Sequence, residues 1–173
     1  MTADDVQKIL NLKHAWEFIL DKDVIQAESN YYLLCHIAKL VNEGFFYDGG
    51  RIRGVPVTIG GTKYVPPIPQ ELQVKECIDK IINSNKEKID IAIELCMYCM
   101  RTQIFIDGNK RASVIFANHY MIAHGLGLIV IPEAQVPEFK KKLVKYYEKS
   151  DIKEINKILK DKCWRKIKYS LQI

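Results

Sequence analysis

One nine-residue run concentrates side chains that can do chemistry: Gln103-Ile-Phe-Ile-Asp107-Gly108-Asn109-Lys110-Arg111. Asp-Gly-Asn is turn chemistry, because Asp and Asn tolerate unusual backbone angles and Gly accepts positive φ. Asn109 is placed to N-cap a helix that begins at Lys110. The backbone N–H groups of that first turn converge at the positive end of the helix, where an anion is favoured. Arg111 adds a permanently charged planar fork suited to phosphate oxygens. Asp107 adds a hard oxygen donor beside them, of the kind that Mg²⁺ bridging phosphates requires. The plain alternative is a solvated interhelical turn, since turn signals are commoner than sites. The conjunction with a glycine-rich segment about forty residues upstream favours a site.

The elements that must position this run are mostly helical. Apolar periodicity predicts helices over Val6–Leu20, from a Ser29 cap to Glu43-Gly44, from Pro69 to about Asn83, from Ile89 to about Thr102, from Lys110 to His124, over Val136–Lys149, and from Asp151 to about Ile167. The helix from Ile89 is apolar on most sides and is therefore expected to be buried. The exception is Phe46 to Pro67, which holds five of the nine glycines. Val55, Val57 and Ile59 alternate before Gly60-Gly61, and Thr62, Tyr64 and Val65 follow, which predicts a tight β-hairpin. Pro56 confines that hairpin to a sheet edge, and Pro66-Pro67-Ile68-Pro69 ends it in a stiff, extended segment. The expected fold is therefore all-α, a helical bundle with a β-hairpin flap. One domain is expected over residues 1–173, with the flap at about 51–67, the loop at 103–111 and basic C-terminal helices at about 136–173.

Composition bounds the alternatives. With 48% hydrophobic and 27% charged residues in 173, the chain is neither disordered nor collagen-like. No apolar run approaches the roughly 18 residues of a membrane helix, so no membrane partner is expected. Asp4, Asp5 and Glu17 leave no secretory signal visible. The five cysteines do not cluster and read as reduced thiols, which leads to the expectation of a cytoplasmic protein. Cys96 and Cys99 have C-x-x-C spacing but no second pair, so they read as core thiols. His119 reads as a satisfied core histidine and His124 as a cation near a helix C-terminus. The net charge of +5 is uneven: Phe139–Ile173 carries 12 Lys/Arg against 4 Asp/Glu, and the remainder 14 against 17. A basic end can attract nucleic acid, but interleaved Leu143, Tyr146, Ile152, Ile155 and Ile158 favour a solvated amphipathic face, and nucleic acid is not expected as the main partner.

The run from Gln103 to Arg111 resembles the signature of the Fic/Doc family, His-Pro-Phe-x-(Asp/Glu)-Gly-Asn-(Gly/Lys)-Arg. Arg53-Gly-Val-Pro-Val-Thr-Ile-Gly-Gly-Thr-Lys-Tyr-Val-Pro-Pro resembles the flap of the same family. Asn118 and Gly125-Leu-Gly-Leu-Ile-Val-Ile-Pro resemble its continuation, so the likeness spans roughly residues 30–160. The resemblance implies a transferase that moves AMP from ATP, or phosphate in the Doc branch, onto a protein Ser, Thr or Tyr hydroxyl. It implies ATP as substrate and Mg²⁺ as cofactor, with Asp107 holding the metal. Phe105 would anchor the loop, Gly108, Asn109 and Lys110 would form an anion hole, and Arg111 would bind a phosphate. Val57, Ile59, Gly60, Gly61, Thr62 and Tyr64 would dock the target chain by strand addition. A separate antitoxin protein is a further partner that the resemblance leaves open.

Four positions depart from that pattern. Gln103 stands where the family has its catalytic histidine; an amide has no accessible pKa and cannot take a hydroxyl proton, although it can orient a hydroxyl or water. Ile104 replaces Pro, Lys110 the second Gly, and Val114 a trailing Arg, which leaves AMP transfer and phosphate transfer both open. Ser150-Asp-Ile-Lys-Glu154 matches the spacing of the family's inhibitory (Ser/Thr)-x-x-x-Glu-(Gly/Asn) helix but has Ile155 in the last position; it is read as a helix N-capped by Ser150 with an exposed Glu154. The alternatives to a transferase are a non-catalytic nucleotide- or protein-binding module on the same scaffold, motivated by Gln103, and a nucleic-acid-binding domain using the basic C-terminal helices.

Overall fold

A computed structural model describes residues 1–167; the end of the basic segment, residues 168–173, lies outside the described residues. Among the described residues the chain forms eight α-helices: α1 (Ala3–Leu20), α2 (Lys22–Gln26), α3 (Tyr31–Val41), α4 (Glu71–Ile82), α5 (Lys88–Thr102), α6 (Asn109–Ala123), α7 (Val136–Lys149) and α8 (Lys153–Ile158). The all-α class follows. Thr2 and Asp5 close a reciprocal capping box on α1. Helix α8 loosens into a π-turn over Leu159–Cys163.

Helices α5 and α6 pack on each other at the centre, with α3 and α1 against α6 and α4 against α5. Helix α5 buries Ile89, Ile91, Ala92, Ile93, Leu95, Cys96, Met97, Cys99 and Met100, which cover every side of it, as the apolar run requires. The two cysteines are core groups, and burial pushes the Cys96 thiol up to about 12, which disfavours its thiolate at neutral pH. Helix α7 buries Phe139, Leu143, Tyr146 and Tyr147 on one stripe and turns its lysines outward. Those lysines meet acids: Lys142 and Lys162 pair with Glu138 at 3.7 and 2.9 Å, and Lys145 pairs with Glu154. Three cations of the basic end are thus paired with acids on the same face.

The segment between α3 and α4 turns at Gly60-Gly61, where Gly61 has φ +83°, but its two arms form no hydrogen-bonded ladder. This corrects the expected β-hairpin. Pro56, Pro66 and Pro67 bring carbonyls without N–H groups, so neighbouring strands would leave acceptors without donors. The cross-link is a side chain instead: the Arg53 guanidinium donates to the carbonyls of Val55 (2.8 Å) on one arm and Pro67 (2.7 Å) on the other. The antiparallel pair lies elsewhere, between β1 (Leu128–Ile129) and β2 (Trp164–Arg165). Asn118 of α6 fixes β1 by accepting from the Ile129 N–H at 2.8 Å and donating to its carbonyl at 2.9 Å.

Three expected caps shift. Asn30, not Ser29, caps α3 by accepting from the Leu33 N–H, because Ser29 Oγ is committed to His119 Nδ1 at 2.7 Å. Ser150 is the left-handed C-cap of α7 at φ 57°, and Asp151 takes the Lys153 N–H at the start of α8. Asn109 lies within α6, and Gly108 at φ 73° holds the cap position. Short α2, unforeseen, brings the Val24 carbonyl to 2.7 Å from His119 Nε2.

His119 is fully buried with both ring nitrogens partnered, and burial lowers its pKa below the ordinary 6.5. Its neutral form therefore stabilises the fold fully above pH 6.5, and that contribution is lost as pH falls from 6.5 through the lower folded value. Thermal midpoints should drop below pH 6.5 in the parent protein. A His119→Gln variant should show a flatter profile over the same interval; equal slopes in the two proteins would contradict this origin.

Candidate functional site

The loop between α5 and α6 is built around Asn109, which is 5% exposed. Its Oδ1 accepts from the Phe105 N–H at 2.9 Å, and its Nδ2 donates to the Phe105 carbonyl at 2.8 Å. The loop is therefore cinched four residues apart by one amide, while Phe105, 1% exposed, is driven into the core beneath it. This is why Asn109 does not serve as the cap expected from its type: its side chain faces back into the loop. Gly108 is obligatory on two grounds. Its φ is +73°, and a Cβ there would stand 2.7 Å from Asn42 Oδ1 and 2.9 Å from Val41 Cγ1. Asn42, at the end of α3, holds the other side by donating from Nδ2 to the carbonyls of Asp107 (3.0 Å) and Gly49 (3.1 Å).

Gln103 is the left-handed C-cap of α5, at φ 48° and ψ 62°. A non-glycine residue there is strained by about 1 kcal/mol or more. Its hydrogen bonds offset that cost. Nε2 donates to the Met100 carbonyl at 2.6 Å, and Oε1 accepts from Asn109 Nδ2 at 3.2 Å. The polarity is fixed from the core outward: Phe105 orients the Asn109 amide, and Asn109 orients the Gln103 amide. Gln103, which lines the cleft, is thus left with one acceptor lone pair on Oε1 and one hydrogen on Nε2.

Arg53 ties the flap to this loop. It is 4% exposed, its N–H donates to the Ile104 carbonyl at 2.9 Å, and its Nε donates to the Gln103 carbonyl. The guanidinium also reaches the carbonyls of Thr102 (3.3 Å) and Pro66 (3.4 Å). Among the described residues no carboxylate pairs with it; the negative end of α5 and the proline carbonyls solvate the charge instead. Ile104, at the position of the family's proline, is fully buried and contributes that carbonyl.

The outer arm of the flap is fastened to α5 and α7. Thr62 Oγ1 donates to Glu148 at 3.0 Å and accepts from the Tyr64 N–H at 3.1 Å. The Tyr64 ring lies 4.2 Å from the Arg101 guanidinium and stacks on Tyr147, and Arg101 Nε donates to the Tyr147 carbonyl at 3.1 Å.

Flap and loop enclose a cleft of about 330 Å³, with Thr58, Ile59 and Gly60 on one side and Gln103 with Asp107–Arg111 on the other. Of the flap residues expected to face a target, Ile59 and Gly60 line it; Val57, Gly61, Thr62 and Tyr64 lie outside its lining. The loop residues Gln103, Asp107, Gly108, Asn109, Lys110 and Arg111 are all brought together. Asp107 is half-exposed and faces Arg111 at 3.5 Å. Among the described residues nothing accepts from the buried Arg111 Nη1. The N–H groups of the first turn of α6 have no intrahelical partners. A carboxylate oxygen, unspent N–H groups and a guanidinium with an orphan donor fit a metal-bound phosphate chain.

Glu154 is no part of this cleft; it lies on the α7–α8 face, paired with Lys145 and Lys142. Sequence reading missed Arg53, Asn42, Thr58 and Arg101. Only Arg53 left a trace, as a cation heading a stretch whose consecutive prolines supply acceptors without donors.

The sequence model of the Fic/DOC family matches residues 29–121. No curated protein matches the chain in sequence. Among solved structures, a fragment of Fic-1 from C. elegans superposes with a TM-score of 0.73 at 18% identity, over 92% of this chain and 48% of that one. A Fic domain containing signaling protein from Bacteroides thetaiotaomicron superposes with a TM-score of 0.70 at 14% identity, over 92% of this chain and 68% of that one. The chain thus spans about half the length of the Fic-1 fragment and shares its fold.

Replacing Arg53 by Met would leave its carbonyl partners without donors inside the protein. The expected loss is about 3 kcal/mol, roughly 6–12 °C in thermal midpoint. Arg53→Lys should fall nearly as far, since a point charge cannot span the flap and α5 at once. A midpoint unchanged in Arg53→Met would refute this account.

Proposed function

The chain belongs to the Fic/DOC family, and from that premise we propose that it binds a nucleoside triphosphate at the 103–111 loop and transfers AMP or phosphate to a hydroxyl of a protein laid along the flap. The observation that carries this reading is the cleft in which Thr58–Gly60 stand opposite Gln103 and Asp107–Arg111. In AMP transfer the hydroxyl oxygen bonds to the α-phosphorus and pyrophosphate leaves. In phosphate transfer it bonds to the γ-phosphorus and the nucleoside diphosphate leaves. Asp107 would hold Mg²⁺, which when bound neutralises phosphate charge. Arg111 would release Asp107 and turn its two terminal nitrogens to phosphate oxygens. The N–H groups of Gly108, Asn109 and Lys110 would hold the transferred phosphate.

Gln103 sets the rate. Its fixed Oε1 accepts a hydrogen bond from the target hydroxyl and orients it, but the proton leaves to water rather than to the side chain. General-base catalysis contributes typically 10²–10⁴-fold, so transfer should be slow. A second reading, a binding module without turnover, is favoured by the same residue, because Nε2 and one lone pair of Oε1 are already occupied by Met100 and Asn109.

Incubation with labelled ATP, Mg²⁺ and a cell lysate, followed by mass spectrometry of adducts, tests the first reading. Gln103→His should raise adduct formation on the order of 10²-fold with nucleotide affinity unchanged by calorimetry. If that variant binds nucleotide and remains inert, the transferase reading is wrong and the binding module stands. Asp107→Asn should weaken Mg²⁺-dependent binding of ATP while leaving metal-free binding nearly unchanged; equal losses with and without metal would remove Asp107 as the ligand.

A further inference from the structure

At the far end of α6 from the flap cleft lies a separate cavity of about 550 Å³. Residues of the α2–α3 connection and of the C-terminal ends of α4 and α6 line it, and none of them lines the cleft. Ser29 is half-buried and belongs to this lining. Its partner His119 is fully buried and outside the lining. The imidazole bridges two groups: Nδ1 lies 2.7 Å from Ser29 Oγ, and Nε2 lies 2.7 Å from the Val24 carbonyl oxygen.

The hydrogens of these three groups have one consistent placement. A carbonyl oxygen only accepts, so Nε2 carries the ring hydrogen and donates it to Val24. Nδ1 of the neutral ring is then the acceptor, and the Ser29 hydroxyl donates to it. Burial lowers the His119 pKa, so Nδ1 is unprotonated at neutral pH. The Val24 carbonyl also accepts the Ala27 N–H at 3.1 Å, which ties the orienting group to the end of α2. A hydroxyl that donates to an imidazole held at its other nitrogen by a third group is the arrangement of an activated serine nucleophile. The next residue, Asn30, caps the 11-residue helix α3, so the positive end of a helix directly follows the nucleophile and favours a developing oxyanion. The lining holds the exposed carboxylates of Glu28 and Asp79 against one imidazole, His124, with Ile25 and Ile82 among its apolar members. That balance disfavours an anionic ligand and suits an uncharged or cationic one.

We propose that Ser29 and His119 form a second catalytic site, a nucleophile and its base, that hydrolyses a small uncharged or cationic carboxylic ester. Ser29 Oγ bonds to the ester carbonyl carbon, and its proton passes to His119 Nδ1. The carbon–oxygen bond to the leaving group breaks, and the departing alkoxide takes that proton. Water then attacks the acyl-serine, its proton returns through Nδ1 to Ser29 Oγ, and the acid leaves. Ester and water thus become acid and alcohol, with no cofactor consumed.

The experiment uses the whole chain without nucleotide or metal. Diisopropyl fluorophosphate should mark Ser29, as Oγ bonds to phosphorus and fluoride leaves, and peptide mass spectrometry locates the adduct. Ser84, whose hydroxyl donates to the Ile81 carbonyl at 2.8 Å, and the exposed Ser150 have no imidazole partner among the described residues and serve as controls within the same molecule. Ser29 should react on the order of 10²-fold faster than either. 4-Nitrophenyl acetate should release nitrophenolate with turnover, and faster than the anionic 4-nitrophenyl hemisuccinate. Ser29→Ala should abolish that release above the solvent background. His119→Gln should slow it on the order of 10²-fold, with the fold checked by circular dichroism. Reaction at Ser29 no faster than at Ser84 and Ser150 would overturn the site without any variant having to fold. Release unchanged in Ser29→Ala would overturn the turnover, and equal rates on the two esters would overturn the substrate class. No nucleotide enters these assays, so their failure leaves the reading of the 103–111 loop untouched.

Discussion

The organising interaction of this protein is a buried arginine that has no acid to pair with among the described residues. Arg53 is almost wholly enclosed, and carbonyl oxygens take the place of a carboxylate. Dipoles at the C-terminal end of α5 suit a cation, and prolines supply carbonyls that no ladder consumes. A guanidinium can reach several acceptors in one plane, so a single side chain holds the two arms of the flap together and presses them against the end of α5. Neither a strand pair nor a salt bridge would do both. The cohesion of the flap comes from Arg53 and not from a strand ladder.

From that anchor the polarity of the cleft follows in order. Arg53 takes the Gln103 carbonyl and so stabilises a left-handed residue that would otherwise be strained. The Gln103 amide is then oriented by Asn109, and Asn109 by the backbone of Phe105. Every donor in that sequence has one partner assignment that satisfies all the others. The orientation of the Gln103 amide is the outcome of core packing, not of a freely rotating side chain. A histidine in the same place would keep the backbone bonds and gain a titratable nitrogen, which is why one substitution separates a site lacking its base from a site with no catalytic use.

Two cavities that share Lys110 and Arg111 divide the surroundings of α6 by chemistry. The flap side is polar because loop N–H groups and Asp107 open onto it. The α1 side is apolar because Leu12, Trp16 and Val114 close over it.

Much of this was legible in the sequence. Apolar periodicity marks six of the eight helices to within a few residues, and the unbroken apolar run of α5 marks the centre of the core, because helix period and burial are local properties of residue type. The spacing of Asp107, Gly108, Asn109, Lys110 and Arg111 likewise places them at a helix start, since turn chemistry is local. Tertiary structure decided what depends on partners distant in the chain. Val55 to Val65 has strand-like alternation, yet the acceptors around it are taken by Arg53, so no ladder forms. Asn109 and Ser29 have cap chemistry, yet Phe105 and His119 claim their side chains. Trp16 carries no sign in the sequence of lying beside Arg111, because α1 and α6 meet only when the bundle closes. Residue type fixes what a group can bond to; only the packed fold fixes which of those partners reaches it first.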